Sequence, residues 1–369
     1  MNLPSLSILQ IITQRRFSGA ERICLVICSE LMRRGHRVRL LCKPDKEFVA
    51  AAQARRIDVH TPGISGKLNI AAPFRIASHA RDMGADLIHT HLSTATLMGS
   101  LAGKCIGIPV VGHVHALNTW QNFMLCSRLI SCSAGVARHM ISQGAPPENV
   151  RIALNGIETD RFSVIPSQDD CRRSLGIPEG APVIACVAHL SAKKGHEYLI
   201  RAIAELSPAW PTLQCLLAGE GELKEPLTEL SASLGIASRV HFLGYREDVM
   251  EIVNACDVAV LSSIAKEGLG LVLVEAALLG KPVVASNAPG IDEAVLNGET
   301  GVLVPPGDTS ALATALNQLL SDPALRQRMG TAGKARALET FSVKSMTDRI
   351  EEVYREVINK VSCEVSRHH

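Results

Sequence analysis

The segment LSILQIITQRRFSGAERICLVICSELMRRGHRVRLLC, residues 6–42, decides the fold. Residues 6–12 form an apolar run of strand length, 13–19 make a turn, and 20–34 carry apolar side chains at helical spacing. Gly35 ends that helix, and residues 38–42 are a second apolar run. Strand, helix, strand is the repeating unit of a parallel sheet with helices on its faces.

The same alternation continues outward. Strands are expected at 86–90 and 109–113, each followed by helical or loop sequence. The pattern pauses at 163–169, a stretch with Pro166 and several polar residues, and resumes with short strands at 183–188, 214–218, 240–243, 258–262, 282–285 and 301–304. This divides the chain into a first Rossmann-like domain at 1–165, a second at 166–342, and a polar helical stretch at 343–369 that would tie the two together. No short repeat of the solenoid type is present.

Composition agrees with an α/β protein. The 369 residues suit two domains, and apolar residues make up 47% with aromatics at 3%, so the cores must be built from Ala, Val, Ile and Leu. An all-β chain is disfavoured. No apolar run of membrane-spanning length occurs, and the first residues enter a strand pattern without a cleavage site, which predicts a cytoplasmic protein. Eleven cysteines stand without a CxxC pair. Cys24 and Cys28, four apart on an apolar helical stripe, are expected to be buried thiols rather than metal ligands.

Net charge is +2, yet residues 1–165 hold 19 Lys and Arg against 10 Asp and Glu, while the remainder holds 19 against 26. The basic half, with Arg15, Arg16, Arg33, Arg34, Arg37 and Arg39, suggests an anionic partner such as a phosphorylated lipid or a membrane surface. Solvated helix faces are the plainer explanation.

Open parallel sheets bind ligands beyond the carboxyl ends of their strands, so the chemistry is sought in strand-to-helix loops facing a cleft between the domains. The richest loop is SSIAKEGLGL, 262–271, leading into the helix that carries Glu275. Gly268 and Gly270 would let main-chain amides approach a phosphate or sugar. Glu275 could accept from two vicinal ribose hydroxyls, and Glu267 would stand nearer the transferred sugar. A solvent-facing loop glutamate and a helix glutamate in an ion pair are the plainer alternative.

At this point the chain resembles the retaining glycosyltransferases of family four. That family marks its donor site with two carboxylates separated by seven residues in a context like EGxGLxxxEA, matched here by EGLGLVLVEA at 267–276, with Leu269 where Phe is usual. The likeness extends over FSGAER at 17–22, DLIHTH at 86–91, NGIETDRF at 155–162, VAHLSAKKGHEYLIRA at 187–202, LAGEGEL at 217–223 and TGVLVPPGD at 300–308.

The resemblance implies the GT-B fold, two Rossmann-like β/α/β domains facing across a cleft, the first on the acceptor side and the second binding a nucleotide sugar donor. It implies that Lys194 holds the donor diphosphate, whose charge grows as it leaves. His189 occupies the place of the usual Arg, which leaves a donor pocket with weaker phosphate affinity, a shifted nucleotide preference or, the favoured reading, compensation by another basic residue such as Lys193 or Lys266. Gly19 resembles the glycine that lets the donor phosphate approach the first helix, and His115 the histidine near the transferred sugar. His113 is assigned to the opposite strand face. The resulting site is Glu267 and His115 for catalysis, with Gly19, His189, Lys194, Gly268, Leu269, Gly270, Leu271 and Glu275 for the donor.

No acidic pair stands at a strand end to bridge a diphosphate through Mg²⁺, and the resemblance implies that none is needed; no metal or other cofactor is expected. The chain lacks a P-loop and a GxGxxG turn after its first strand, which disfavours NTPase and NAD-dependent chemistry. The expected reaction is transfer of a hexose-type sugar from a nucleotide diphosphate sugar to a hydroxyl of an envelope glycan or lipid-linked acceptor, with retention. Nucleic acid is not an expected partner. A non-hydrolysing nucleotide-sugar epimerase and a non-catalytic sugar-nucleotide-binding protein are the alternatives.

Overall fold

A computed structural model of the chain describes residues 4–13, 19–64, 66, 69–162, 164–267 and 269–365. The chain forms two compact units, Met1–Gly156 with Ser342–His369, and Ile157–Phe341. The division therefore falls near Gly156, ahead of the polar stretch at 163–169, and the last helix is grouped with the first unit.

The first unit contains β1 (Ser7–Ile12), β2 (Arg37–Leu41), β3 (Asp58–His60), β4 (Leu87–His91), β5 (Val110–Val114), β6 (Arg128–Ser131) and β7 (Val150–Ile152). All pair in parallel, in the order β3-β2-β1-β4-β5-β6-β7. Its helices are α1 (Gly19–Arg33), α2 (Lys46–Ala54), α3 (Ala72–Asp82), α4 (Ser93–Ile106) and α5 (Ala134–Ser142). The second unit repeats the plan with β8 (Val183–Val187), β9 (Gln214–Ala218), β10 (Val240–Gly244), β11 (Val258–Leu261), β12 (Val283–Ser286) and β13 (Gly301–Val304), in the order β10-β9-β8-β11-β12-β13. Here the helices are α6 (Gln168–Ser174), α7 (His196–Leu206), α8 (Lys224–Ser233), α9 (Val249–Ala255), α10 (Leu271–Leu278), α11 (Thr309–Ser321) and α12 (Pro323–Thr340). The long α13 (Val343–Val365) returns to the first unit.

Both sheets change direction beside their first strand, between β1 and β4 and between β8 and β11. At such a switch the adjacent loops diverge and leave room for a ligand. Strands covered on both faces are mainly apolar: VVGHV of β5 and QCLLA of β9 are buried along their whole length, with His113 and Gln214 as their polar members. With few aromatics, Ile, Leu, Val, Ala and Cys fill the cores. Cys24 and Cys28 are buried in α1, and burial raises the Cys24 thiol well above its ordinary range, as packed thiols require.

α13 is amphipathic: Met346, Ile350, Val353, Tyr354 and Val357 are buried against the core that contains Ile8, Ile12 and Ile27. Its polar side is tied down as well. Arg34 reaches Asp348 at 2.7 Å and Glu351 at 2.8 Å, His36 Nε2 lies 3.0 Å from Glu351, and Arg128 and Arg151 hold Glu356 at 3.2 and 3.0 Å. Among the described residues no helix is long and apolar enough to cross a membrane.

Candidate functional site

In the second unit, the loops that leave β8 and β11 are stitched together beside the switch point. Ile264 N–H donates to the Lys193 carbonyl at 2.9 Å, and Ser262 Oγ donates to the Lys194 carbonyl at 3.1 Å. Gly195 turns the chain into α7 with φ +64°, and a Cβ there would strike the Ser262 carbonyl, so both conformation and space demand glycine. The loop after β9 joins them: Leu190 N–H donates to the Glu220 carbonyl at 2.8 Å. The sequence motifs at 187–202, 217–223 and 267–276 thus become neighbouring walls of one surface.

The side chains meet at Glu267. Lys194 Nζ lies 2.6 Å from Glu267 Oε1, Ser263 Oγ donates to the same oxygen at 2.6 Å, and the Glu267 N–H donates to the Pro289 carbonyl at 3.0 Å. Both side chains of the ion pair are mostly buried, 17% exposed for Lys194 and 14% for Glu267. The residues assigned separately to phosphate and sugar are therefore direct partners. An ammonium and a carboxylate held this close can hand the cation to an incoming anion while the carboxylate turns to hydroxyl donors.

Leu269 is buried, and Gly270, with φ +67°, caps the start of α10. Leu271 opens that helix, and Glu275 lies on its second turn, half-buried. Gly268 lies outside the described residues. His189 is half-exposed, with Nδ1 4.0 Å from Glu222. Lys193 and Lys266 are exposed, so Lys194 is the basic residue of these three drawn into the carboxylate network.

His196, the first residue of α7, escaped the sequence reading. It is buried, neither ring nitrogen has a protein partner, and burial lowers its pKa to about 4.

In the first unit Gly19 begins α1, while the turn before it, 14–18, lies outside the described residues. His115 follows β5 and belongs to a buried cluster. Gln10 of β1 pairs in register with His89 of β4, and His91 with His113 of β5. His113 does not face away from His115: residues two apart on a strand share a face, and the two rings stack with centroids 4.2 Å apart. His91 Nδ1 is 2.8 Å from His115 Nε2, His91 Nε2 is 2.9 Å from Gln10 Oε1, and Tyr354 Oη of α13 is 2.6 Å from His89 Nδ1. Burial first, then neighbouring imidazoles, keeps His89, His91 and His113 well below the ordinary histidine range, and burial brings His115 to about 3. The cluster is neutral.

His89, His91 and His113 each bring a ring nitrogen within 4.8 Å of the others. Their ring planes differ by 5° to 30°, so in-plane lone pairs lie in near-parallel layers instead of converging on one ion. His91 also has both nitrogens engaged. This geometry suits a packed polar core better than a tetrahedral metal centre. The HxH spacings at 89–91 and 113–115 were visible in the sequence; Gln10 and Tyr354 carried no such signal.

Known proteins resemble this chain over nearly its whole length. The model of Glycosyltransferase Family 4 matches residues 17–161, and that of Glycosyl transferases group 1 matches residues 167–336. A D-inositol 3-phosphate glycosyltransferase of Corynebacterium diphtheriae is 30% identical over 91% of this chain and 89% of its own. The lipopolysaccharide core biosynthesis glycosyltransferase LpsE of Rhizobium meliloti is 27% identical over 89% of this chain and 94% of its own. Among solved structures, Anabaena HepE in complex with UDP superposes with a TM-score of 0.85 at 26% identity, over 95% of this chain and all of that one.

Proposed function

Because the chain belongs to the family-four, group 1 glycosyltransferases and has their GT-B fold, we infer that it moves a hexose-type sugar from a nucleotide diphosphate sugar to a hydroxyl acceptor with retention. The observation that carries this reading is the Lys194–Glu267–Ser263 contact at the switch point of the second sheet. A leaving diphosphate gains negative charge as its bond to the sugar breaks, and a fixed ammonium favours that charge. Lys194 would exchange Glu267 for the diphosphate, and Glu267, still held by Ser263, would take sugar hydroxyls as a hydrogen-bond acceptor. Glu275 would take the ribose diol, Gly268 and Gly270 would admit main-chain amides to the phosphates, and His115 would meet a sugar hydroxyl.

Retention fits attack from the face the diphosphate leaves, with that diphosphate receiving the acceptor proton. We expect no metal in this step, since Lys194 and loop amides supply the charge stabilisation. UDP in Anabaena HepE supports a nucleotide donor, and the names of the Corynebacterium and Rhizobium relatives support an inositol phosphate, envelope glycan or lipid-linked acceptor. An anionic membrane is a further proposed partner of the basic first half. Ile70 and Phe74, 86% and 72% exposed beside Arg75 at the start of α3, provide apolar contact for it.

The test is transfer from a panel of nucleotide sugars to inositol phosphate and lipid-linked acceptors, with product anomers read by NMR and EDTA present in one arm. Retained configuration with an EDTA-insensitive rate is expected. An inverted anomer sinks the retaining assignment, and conversion of the nucleotide sugar without acceptor favours the epimerase. Failure to bind anionic vesicles at low salt removes the membrane partner.

A further inference from the structure

The side chains running from Tyr354 to His115 form a chain of hydrogen bonds whose direction is set at Gln10. Gln10 Oε1 lies 2.9 Å from His91 Nε2, while its Nε2 lies 3.3 Å from His89 Nδ1 and 3.4 Å from Tyr354 Oη. An amide oxygen accepts and cannot donate, so His91 carries its proton on Nε2. A neutral imidazole has one N–H, which leaves His91 Nδ1 as a bare lone pair. The 2.8 Å contact to His115 Nε2 then makes His115 the donor, with its own proton on Nε2. His115 Nδ1 is the acceptor left over, and it is buried with no protein partner. On the other side of Gln10, the Tyr354 hydroxyl donates to the one lone pair of His89 Nδ1 at 2.6 Å, and the Gln10 amide N–H donates to Tyr354 Oη at 3.4 Å.

We propose that Gln10 is a positioning residue for sugar transfer: through His91 it selects the Nε2–H tautomer of His115, which makes His115 Nδ1 a hydrogen-bond acceptor for a sugar hydroxyl. This rests on the role given to His115 above. A sugar hydroxyl that reaches Nδ1, which is buried in the free protein, would donate to it and be oriented; the opposite tautomer would offer an N–H and reverse that orientation. Tyr354 holds the far end of the chain from α13, so the last helix helps define the tautomer of a residue after β5.

The full-length protein with ¹⁵N-labelled histidine tests this, because ¹⁵N shifts separate protonated from bare ring nitrogens. His91 and His115 are both expected as Nε2–H in the wild type. Gln10→Leu removes the acceptor and should mix the two tautomers. It should also lower kcat on the order of 10- to 100-fold, with the donor KM within about threefold. Gln10→Glu, whose protonated carboxyl again offers one acceptor and one donor, should restore the tautomers and most of kcat. Thermal melting shows whether Gln10→Leu folds, and Gln10→Glu with the wild-type spectrum carries the test if it does not. A wild-type His115 protonated on Nδ1, or Gln10→Leu with unchanged tautomers and rate, overturns the proposal. His115→Ala with full transfer activity instead removes the role of His115, while leaving control of the ring by Gln10 standing.

Discussion

Glu267 has an observed ion-pair partner, Lys194, and a proposed partner, a sugar. If the carboxylate acts on the sugar in the transition state, Glu267→Gln should lower kcat by about 10²- to 10³-fold while nucleotide affinity changes by less than about threefold. Glu275→Ala should show the reverse split, weakening nucleotide diphosphate binding by about tenfold in calorimetry through loss of the proposed diol contact. Normal kinetics in both variants would dismiss the site. The identities of Lys194 and Glu267 were legible from their motifs, whereas their 2.6 Å contact was not, because it depends on loops brought together from β8 and β11. Ser263 sits in the quoted loop and went unrecognised for the same reason: a serine in a loop acquires meaning from the oxygen it faces.

At the scale of elements, α13 earns its place through Tyr354. Tyr354→Phe keeps the ring in the core and removes one hydroxyl, leaving His89 Nδ1 with the longer Gln10 contact. A loss of about 1–3 kcal/mol is expected in denaturant unfolding, and no measurable change would show that the hydroxyl is unimportant. The capping of α12 gives a smaller effect: Asp322 accepts from the Leu325 N–H at 2.9 Å, with Pro323 in the first turn, so Asp322→Ala should cost about 1 kcal/mol. The six strands of the second unit were all legible because each is an apolar run framed by turns. The short β3, β6 and β7 were not, being three or four residues long with Asp58, His60, Arg128 and Arg151 among them. Their placement comes from pairing with a neighbour already fixed, not from their own periodicity.

For the whole molecule, the neutral histidine cluster makes stability depend on pH. The unfolded chain takes up protons near pH 6.5, while His89, His91 and His113 resist them when folded and His115 does so down to about 3. The unfolded state therefore binds more protons below about pH 6.5, and stability must fall as pH falls through that window. The slope should approach about 1.4 kcal/mol per pH unit for each such histidine, and His113→Phe should flatten it. A melting temperature independent of pH from 7 to 5 would contradict this. The two-sheet plan was legible because the same strand-helix alternation occurs twice; the return of α13 was not, since a polar amphipathic helix could dock on either unit.

That return makes the second unit an insertion: Ile157–Phe341 is synthesised whole while the first unit still lacks Ser342–His369. During translation the order of completion is thus the reverse of the order of synthesis. The earlier part of the first unit must wait, with the surface that Ile350 and Tyr354 will cover left open, until α13 arrives.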